Sequence, residues 1–223
     1  DPYEKFLPKI SSVISKIVII YIVLTIVLFG LYYTNGMTLF DSIAHSFSTI
    51  STGGFSTHSS SFAYFDSQSI LIIAIIFMIL GSFPFLVLAQ TTPKNPFATF
   101  RDQQVKIFLL LLLISISLIY FFAKNYLDGS EINKIITISF NTISIISGTG
   151  FVSENFESWG NYASVLFLIL MFIGGCAGST TGGLKVFRFQ ILFKYISLHL
   201  KKMLQPHAVL AKHFNGKTLL YRK

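Results

Sequence analysis

Two short stretches carry residue types and spacing that could do chemistry: Ser51, Thr52, Gly53 and Gly54 followed by Phe55, and a looser copy at Ser147, Gly148, Thr149 and Gly150 followed by Phe151. Neither sets a nucleophile beside a base, and neither holds a soft metal ligand. What they offer is a row of backbone carbonyls, hard neutral oxygens that replace the water around a monovalent cation without a fixed charge to trap it. Glycine suits this work because it permits backbone angles that aim consecutive carbonyls at one axis, which a Cβ would obstruct.

The elements that must position these turns come in duplicate. Sliding the sequence by 96 residues places Ile50 on Ile146, Ser51 on Ser147, Gly54 on Gly150 and Phe55 on Phe151. An internal repeat means that each copy is one structural unit packing against its neighbour. Val13–Tyr33 is apolar and long enough to cross a hydrocarbon core of ~30 Å at 1.5 Å per residue, and it meets a stop at Thr34-Asn35-Gly36. Leu39–Ile50 is too short and too polar to span, with Asp41, Ser42, His45, Ser46, Ser48 and Thr49 among its residues. It is expected to enter the membrane partway, where protein or water surrounds it.

Ser69–Ala89 is expected to cross back, kinked near Gly81 and Pro84. The second copy repeats the series with a span over Val105–Ala123, a short half-polar helix over Glu131–Ser147 and a last crossing from Tyr162. That crossing runs after Ile173 into Gly174, Gly175, Cys176, Ala177, Gly178, Ser179, Thr180, Thr181, Gly182 and Gly183, too glycine-rich for a straight helix. The predicted fold class is an all-α integral membrane protein built from repeated transmembrane helix, re-entrant pore helix and transmembrane helix units, with a broken last inner helix. One unit covers residues 1–89 and a cytoplasmic connector covers 90–104. The second unit with its intramembrane loop covers 105–189, and a basic cytoplasmic tail covers 190–223.

Composition agrees with a bilayer as solvent: 52% of residues are hydrophobic, 12% are charged and the mean hydropathy is +0.67. The single cysteine excludes a disulfide framework and a cysteine-based zinc site. A net charge of +8 raises nucleic acid as a partner, but the basic residues are segregated by loop instead of gathered with aromatics. Fifteen of the 17 Lys and Arg fall in segments expected on one side, leaving Lys124 and Lys134 opposite, so the basic loops are expected in the cytoplasm. The opposite face carries Asp41, Asp66, Asp128, Glu131, Glu154 and Glu157, placed where a cation would arrive or simply solvated. His45 and His58 are expected to hold no metal for want of a nearby ligand, and Gly178–Lys185 lacks the lysine placement of a phosphate-binding loop. Most of the 24 Phe are assigned to lipid contact or interhelical packing, and Trp159 and Tyr162 to an outer interfacial belt.

Thr52-Gly53-Gly54-Phe55 follows the Thr, small, Gly, aromatic order of the TVGYG filter in potassium channels. The stretch His-Ser-Phe-Ser-Thr-Ile-Ser-Thr-Gly-Gly-Phe-Ser-Thr-His (45–58) and the stretch Phe-Ile-Gly-Gly-Cys-Ala-Gly-Ser-Thr-Thr-Gly-Gly-Leu-Lys-Val-Phe-Arg (172–188) go further. They resemble the second and third of four repeats in the TrkH/KtrB/HKT family of potassium transporters, and the likeness extends over nearly the whole chain. The resemblance implies potassium uptake across a bacterial inner membrane, with K+ as transported substrate and no cofactor. It implies a homodimer of pore subunits regulated by a cytoplasmic nucleotide-binding subunit resembling TrkA. Gly54 and Gly150 become filter glycines, and Gly174, Gly175, Gly178, Ser179, Thr180, Thr181, Gly182 and Gly183 a gate beneath the filter. Thr181 stands where the family pattern usually has Gly. With two repeats where a pore needs four, the chain is expected to be a fragment of the pore subunit. The alternative is a non-conducting membrane scaffold or sensor, which would have no need of paired glycine turns after short polar helices.

Overall fold

In the computed structural model of the chain, residues 2–91, 97–204, 213–214 and 217–218 are described. The middle of the expected connector and most of the tail beyond residue 204 lie outside them. The protein is mostly helical: α1 (Pro2–Thr34), α2 (Leu39–Ile50), α3 (Gln68–Gly81), α4 (Phe85–Leu88), α5 (Ala98–Arg101), α6 (Gln103–Ala123), α7 (Glu131–Ile146), α8 (Asn161–Leu170) and α9 (Val186–Leu204). One small departure from an all-α fold is a pair of antiparallel two-residue strands, His213–Phe214 and Lys217–Thr218, joined in the sequence by Asn215 and Gly216, a hairpin dipeptide.

Two helical stretches, Ser11–Thr34 and Gln103–Tyr126, are long and apolar enough to cross a membrane, each with a mean hydropathy of 2.6. Their outward faces carry Ile14, Ile19, Ile22, Ile26, Leu110, Leu113, Leu118 and Phe121, all exposed. A soluble protein covers a contiguous apolar surface of this kind; lipid makes covering it unnecessary. The interior runs the other way. On α2 the buried residues are Asp41, Ser42, His45, Ser46, Ser48, Thr49 and Ile50, and α7 buries Asn141, Thr142 and Ser144. Buried polar groups are the informative observation in any fold. Here they concentrate on the two short helices that lead into the glycine turns.

Capping explains where those helices begin and end. Thr38 Oγ1 accepts from the Asp41 N–H at the start of α2, and Ser130 Oγ from the Asn133 N–H at the start of α7, each satisfying an orphan donor. Helix α1 packs along α2, while α7 sits between α3 and α6. The expected Ser69–Ala89 crossing is not one kinked helix. It stops at Gly81, passes through Ser82–Pro84 and resumes as α4. Pro84 supplies no N–H and its ring clashes with a helical carbonyl, so α3 cannot continue through it.

The segments that follow the two turns share an aromatic cluster built on Phe62, which is buried against Phe151 (ring centroids 4.5 Å apart), Phe140 (5.1 Å), His45 (5.2 Å) and Phe65 (5.9 Å). Val152 N donates to Ser61 Oγ and Ala63 N to Val152 O, both at 3.2 Å, so the segments following the two turns are also joined through backbone. Phe62→Ala is expected to cost about 3–5 kcal/mol, the usual range for emptying a phenylalanine site, and to lower the thermal midpoint of the purified protein in detergent. A midpoint within error of the parent would mean that the cluster does not hold the copies together. Trp159 is not part of an interfacial belt: it is buried with its ring 5.9 Å from Phe167, whereas Tyr162 is exposed.

Candidate functional site

Both turns are made by the same backbone construction. Ser51 N donates to Phe47 O, Thr52 N to Thr49 O and Gly53 N to Ser48 O; in the second turn Ser147 N donates to Ile143 O, Gly148 N to Ile145 O and Thr149 N to Ser144 O. These are equivalent pairs at the offset of the sequence repeat. The left-handed residues are equivalent too: Thr52 (φ 51°) and Gly148 (70°), then Gly54 (73°) and Gly150 (83°). A β-branched residue at positive φ is an outlier that costs of order 1–3 kcal/mol, and such strain concentrates at functional sites. Each turn also lies at the C-terminal end of its helix, where the summed peptide dipoles leave a partial negative charge that favours a cation.

The turns meet. A Cβ built on Gly54 would collide outright with the Thr149 carbonyl oxygen, so the first turn lies with its Cα against the backbone of the second. Thr52 Oγ1 donates to Ser51 O at 2.7 Å, and Ser147 Oγ lies 2.7 Å from Thr149 Oγ1. Ser147 and Thr149 are buried, while Gly148 and Gly150 are exposed. The copies differ in their aromatic: Phe151 is buried in the cluster on Phe62, and Phe55 is 81% exposed.

The glycine-rich stretch leaves the helical path after α8. It folds back so that Gly174 N donates to Leu184 O (2.9 Å) and Leu184 N to Phe172 O (3.0 Å). A side chain on Gly174 would strike the Gly182 carbonyl, and this close approach explains the glycine there. The segment is tied down by hydrogen bonds to the end of α3 and the start of α4. Cys176 N donates to Ser82 O, Thr180 N to Gly81 O and Phe85 N to Gly178 O. These bonds explain the break in α3, whose last carbonyls at Gly81 and Ser82 have no helical partner and accept from the loop instead. Thr180 Oγ1 lies 3.0 Å from both Gly81 O and Ile50 O, sharing its single proton between the end of α3 and the base of the first turn. The hydroxyl of buried Thr181 accepts from Gly175 N (3.0 Å) and Lys185 Nζ (2.9 Å) and lies 2.8 Å from Ser179 Oγ, whose own proton goes to Cys176 O. Ala177 N reaches Gln104 Oε1 at the start of α6 (3.0 Å), a contact signalled in sequence only by a polar residue at a helix end.

The sequence matches the TrkH family of cation transport proteins over residues 3–222. The chain belongs to the TrkH family. Its relatives include the Trk system potassium uptake protein TrkH of Salmonella typhimurium, 36% identical over 97% of this chain and 45% of that protein. Another is the Trk system potassium uptake protein TrkI of Halomonas elongata, 31% identical over 98% of this chain and 44% of that protein. The crystal structure of the potassium transporter TrkH from Vibrio parahaemolyticus superimposes with a TM-score of 0.87 at 33% identity, covering 95% of this chain and 46% of that one. The chain thus spans a little under half the length of these relatives.

Asp41, expected on the outer face either where a cation would arrive or as a solvated acid, is buried, and His58, expected to lack a nearby ligand, lies with Nε2 3.3 Å from Asp41 Oδ1. Spacing within one helix or one loop could not reveal this pair, because the chain brings them together only after the first turn doubles back. Among the described residues no group of three or more His, Cys, Asp or Glu is arranged to hold a metal ion.

Proposed function

We propose that this chain forms two helix-pore-helix units, residues 1–89 and 105–189, of the pore subunit of a bacterial potassium uptake system. Ser51–Gly54 and Ser147–Gly150 line its selectivity filter, and Gly174–Gly183 forms the gate beneath it. The observation that carries this reading is the matched geometry of the turns: left-handed residues at equivalent positions, the same backbone hydrogen bonds in both copies, and an abutment of the two turns at Gly54 and Thr149. The potassium uptake named for the relatives supports it. The connector and the residues from 190 face the cytoplasm, and α9 offers Arg188 and Lys201 beside Ile191, Phe193 and Leu200 to a regulatory subunit. The full-length parent protein, expressed in cells lacking their own potassium uptake, is expected to restore growth at low external K+ and to carry Rb+ in preference to Na+. Restored growth without discrimination between these ions would remove the filter assignment; no flux at all would favour a scaffold.

The outer mouth adds a pH dependence. Glu154 lines a cleft of about 270 Å³ with Asp66, Ser67, Gln68 and Asn133. Burial, aided by the Asp128 carboxylate, pushes its carboxyl above the usual glutamate range. The folded state therefore holds this proton more tightly than the unfolded chain, and the stability it lends below the ordinary glutamate range is lost as pH rises through the raised value. For transport the sign is opposite: falling external pH removes the Glu154 charge earlier than that of an ordinary glutamate, and with it local attraction for cations. Glu154→Gln is expected to raise the KM for K+ at low ionic strength, to leave the maximal rate near the parent's, and to flatten the decline of uptake in mild acid. A pH profile of Rb+ uptake that keeps the parent's acid limb would assign that limb to another group.

A further inference from the structure

Asp41 is a buried carboxylate on a helix that ends in the filter turn, and its contacts exceed what capping requires. Oδ2 accepts from Thr38 Oγ1 (2.7 Å), while Oδ1 accepts from Thr57 Oγ1 (2.5 Å) and faces His58 Nε2 (3.3 Å). Thr57 and His58 follow Gly54 by three and four residues, so the carboxylate fastens the segment leaving the turn to the far end of the helix that delivers it. A second strut lies one helical turn deeper. His45 Nδ1 donates to Asp41 O (2.8 Å), since a carbonyl only accepts, which leaves Nε2 of the neutral ring to accept from Ser56 Oγ (2.9 Å). Ser56 Oγ in turn accepts from His58 N (3.2 Å), and the His58 ring stacks on Tyr64 at 3.5 Å.

The second turn has the deeper strut in another material. Asn141, at the register of His45, donates through Nδ2 to Thr137 O (2.9 Å) and Ser153 Oγ (2.8 Å), and accepts from Ser153 N (3.3 Å). It has no counterpart of the upper strut: Thr137 stands at the register of Asp41 and Glu154 at that of His58. A buried carboxylate is costly unless it is hydrogen-bonded or paired, and Asp41 is held by two threonine hydroxyls and faces a histidine. Resting on the filter reading above, we infer that Asp41 is a positioning residue for ion discrimination. Through Thr57 and His58 it holds the residues after Gly54 at a fixed height and so fixes the spacing of the first turn's carbonyls, a constraint applied to one turn of the two.

The test uses the full-length parent protein, with Rb+ and Na+ uptake measured at matched amounts in the membrane. Asp41→Ala and Thr57→Val are each expected to lower the Rb+/Na+ uptake ratio by about tenfold, within the coupling range of hydrogen-bonded neighbours. The double variant is expected to be no worse than either single one, and Thr57→Ser, which keeps the hydroxyl, to retain the parent's ratio. A lower maximal rate with an unchanged ratio in both single variants would reduce Asp41 to a helix cap and overturn the inference. If Asp41→Ala does not reach the membrane, Thr57→Val decides alone, because it leaves the cap of α2 intact. Gly54→Ser separates the two levels: discrimination that survives it sinks the filter reading, whereas discrimination lost there but kept in Thr57→Val sinks only the role given to Asp41.

Discussion

Gly54→Ser in the full-length parent protein is expected to lower the K+/Na+ uptake ratio by at least about tenfold, equal to ~1.4 kcal/mol of lost discrimination. The cause is contact as much as conformation. At φ 73° the residue is in the left-handed region, and a Cβ there would run into the Thr149 carbonyl oxygen, so either the second turn gives way or the first one moves. Both displace the carbonyl oxygens to which the proposed filter assigns the replacement of an ion's hydration shell. The equivalent changes in the other turn set the scale. A Cβ on Gly150 meets nothing within 4 Å, and one on Gly148 comes no closer than 3.5 Å to Gly182 N. Thr52 already tolerates a left-handed backbone at the register of Gly148. Gly148→Ala therefore carries only the conformational cost, roughly 1–2 kcal/mol, and should leave discrimination closer to the parent's. Equal ratios in Gly54→Ser and the parent, at matched membrane levels, would show that the abutting turns do not select ions.

What the sequence made legible follows from periods and punctuation. The apolar runs, their polar interruptions and the repeat located α2, α6 and α7 to within two residues, because helix length in a bilayer and capping by Thr38 and Ser130 are local matters; the end of α1 was located equally well, but its start lies eleven residues before the apolar run at Val13. The broken crossing after Ile173 was legible for the same reason, since so many glycines cannot propagate a helix. Long-range pairing was not. A glycine-rich run looks slack by composition, yet its amides and hydroxyls find the carbonyls that α3 leaves open at Gly81 and Ser82, partners about a hundred residues away. Pro84 marked a kink in sequence; the full break reflects carbonyls released for a partner that no local window contains. The pairing of Asp41 with His58 was missed on the same ground. Each looks solvated or idle beside its sequence neighbours, and the turn between them makes them a pair.

The tethering of that stretch turns the gate assignment into a second large effect. Removing Gly178–Thr181 from the full-length parent is expected to raise K+ flux several-fold and, on the proposed reading, to weaken any dependence on a cytoplasmic regulatory subunit. The deletion severs Phe85 N from Gly178 O, Thr180 from Gly81 O and Ile50 O, and Thr181 from Gly175 N and Lys185. Because so much is lost at once, a finer variant is needed. Thr180→Val keeps the side-chain shape and removes the hydroxyl that ties the loop to the base of the first turn. A hydrogen bond contributes about 0.5–1.5 kcal/mol net, so a closed state that depends on this one should open ~2- to 10-fold more often. Lys185, bonded to the Thr181 carbonyl and followed directly by α9, gives a regulator acting on that helix a mechanical path to the same tether. Glycines in membrane helices also serve close packing, and a packing kink predicts something different. It would make the deletion unstable or silent, with no change in how flux responds to the partner. If both variants reach the membrane and their flux and partner dependence match the parent's, the loop is a structural break and the gate lies elsewhere along the pore.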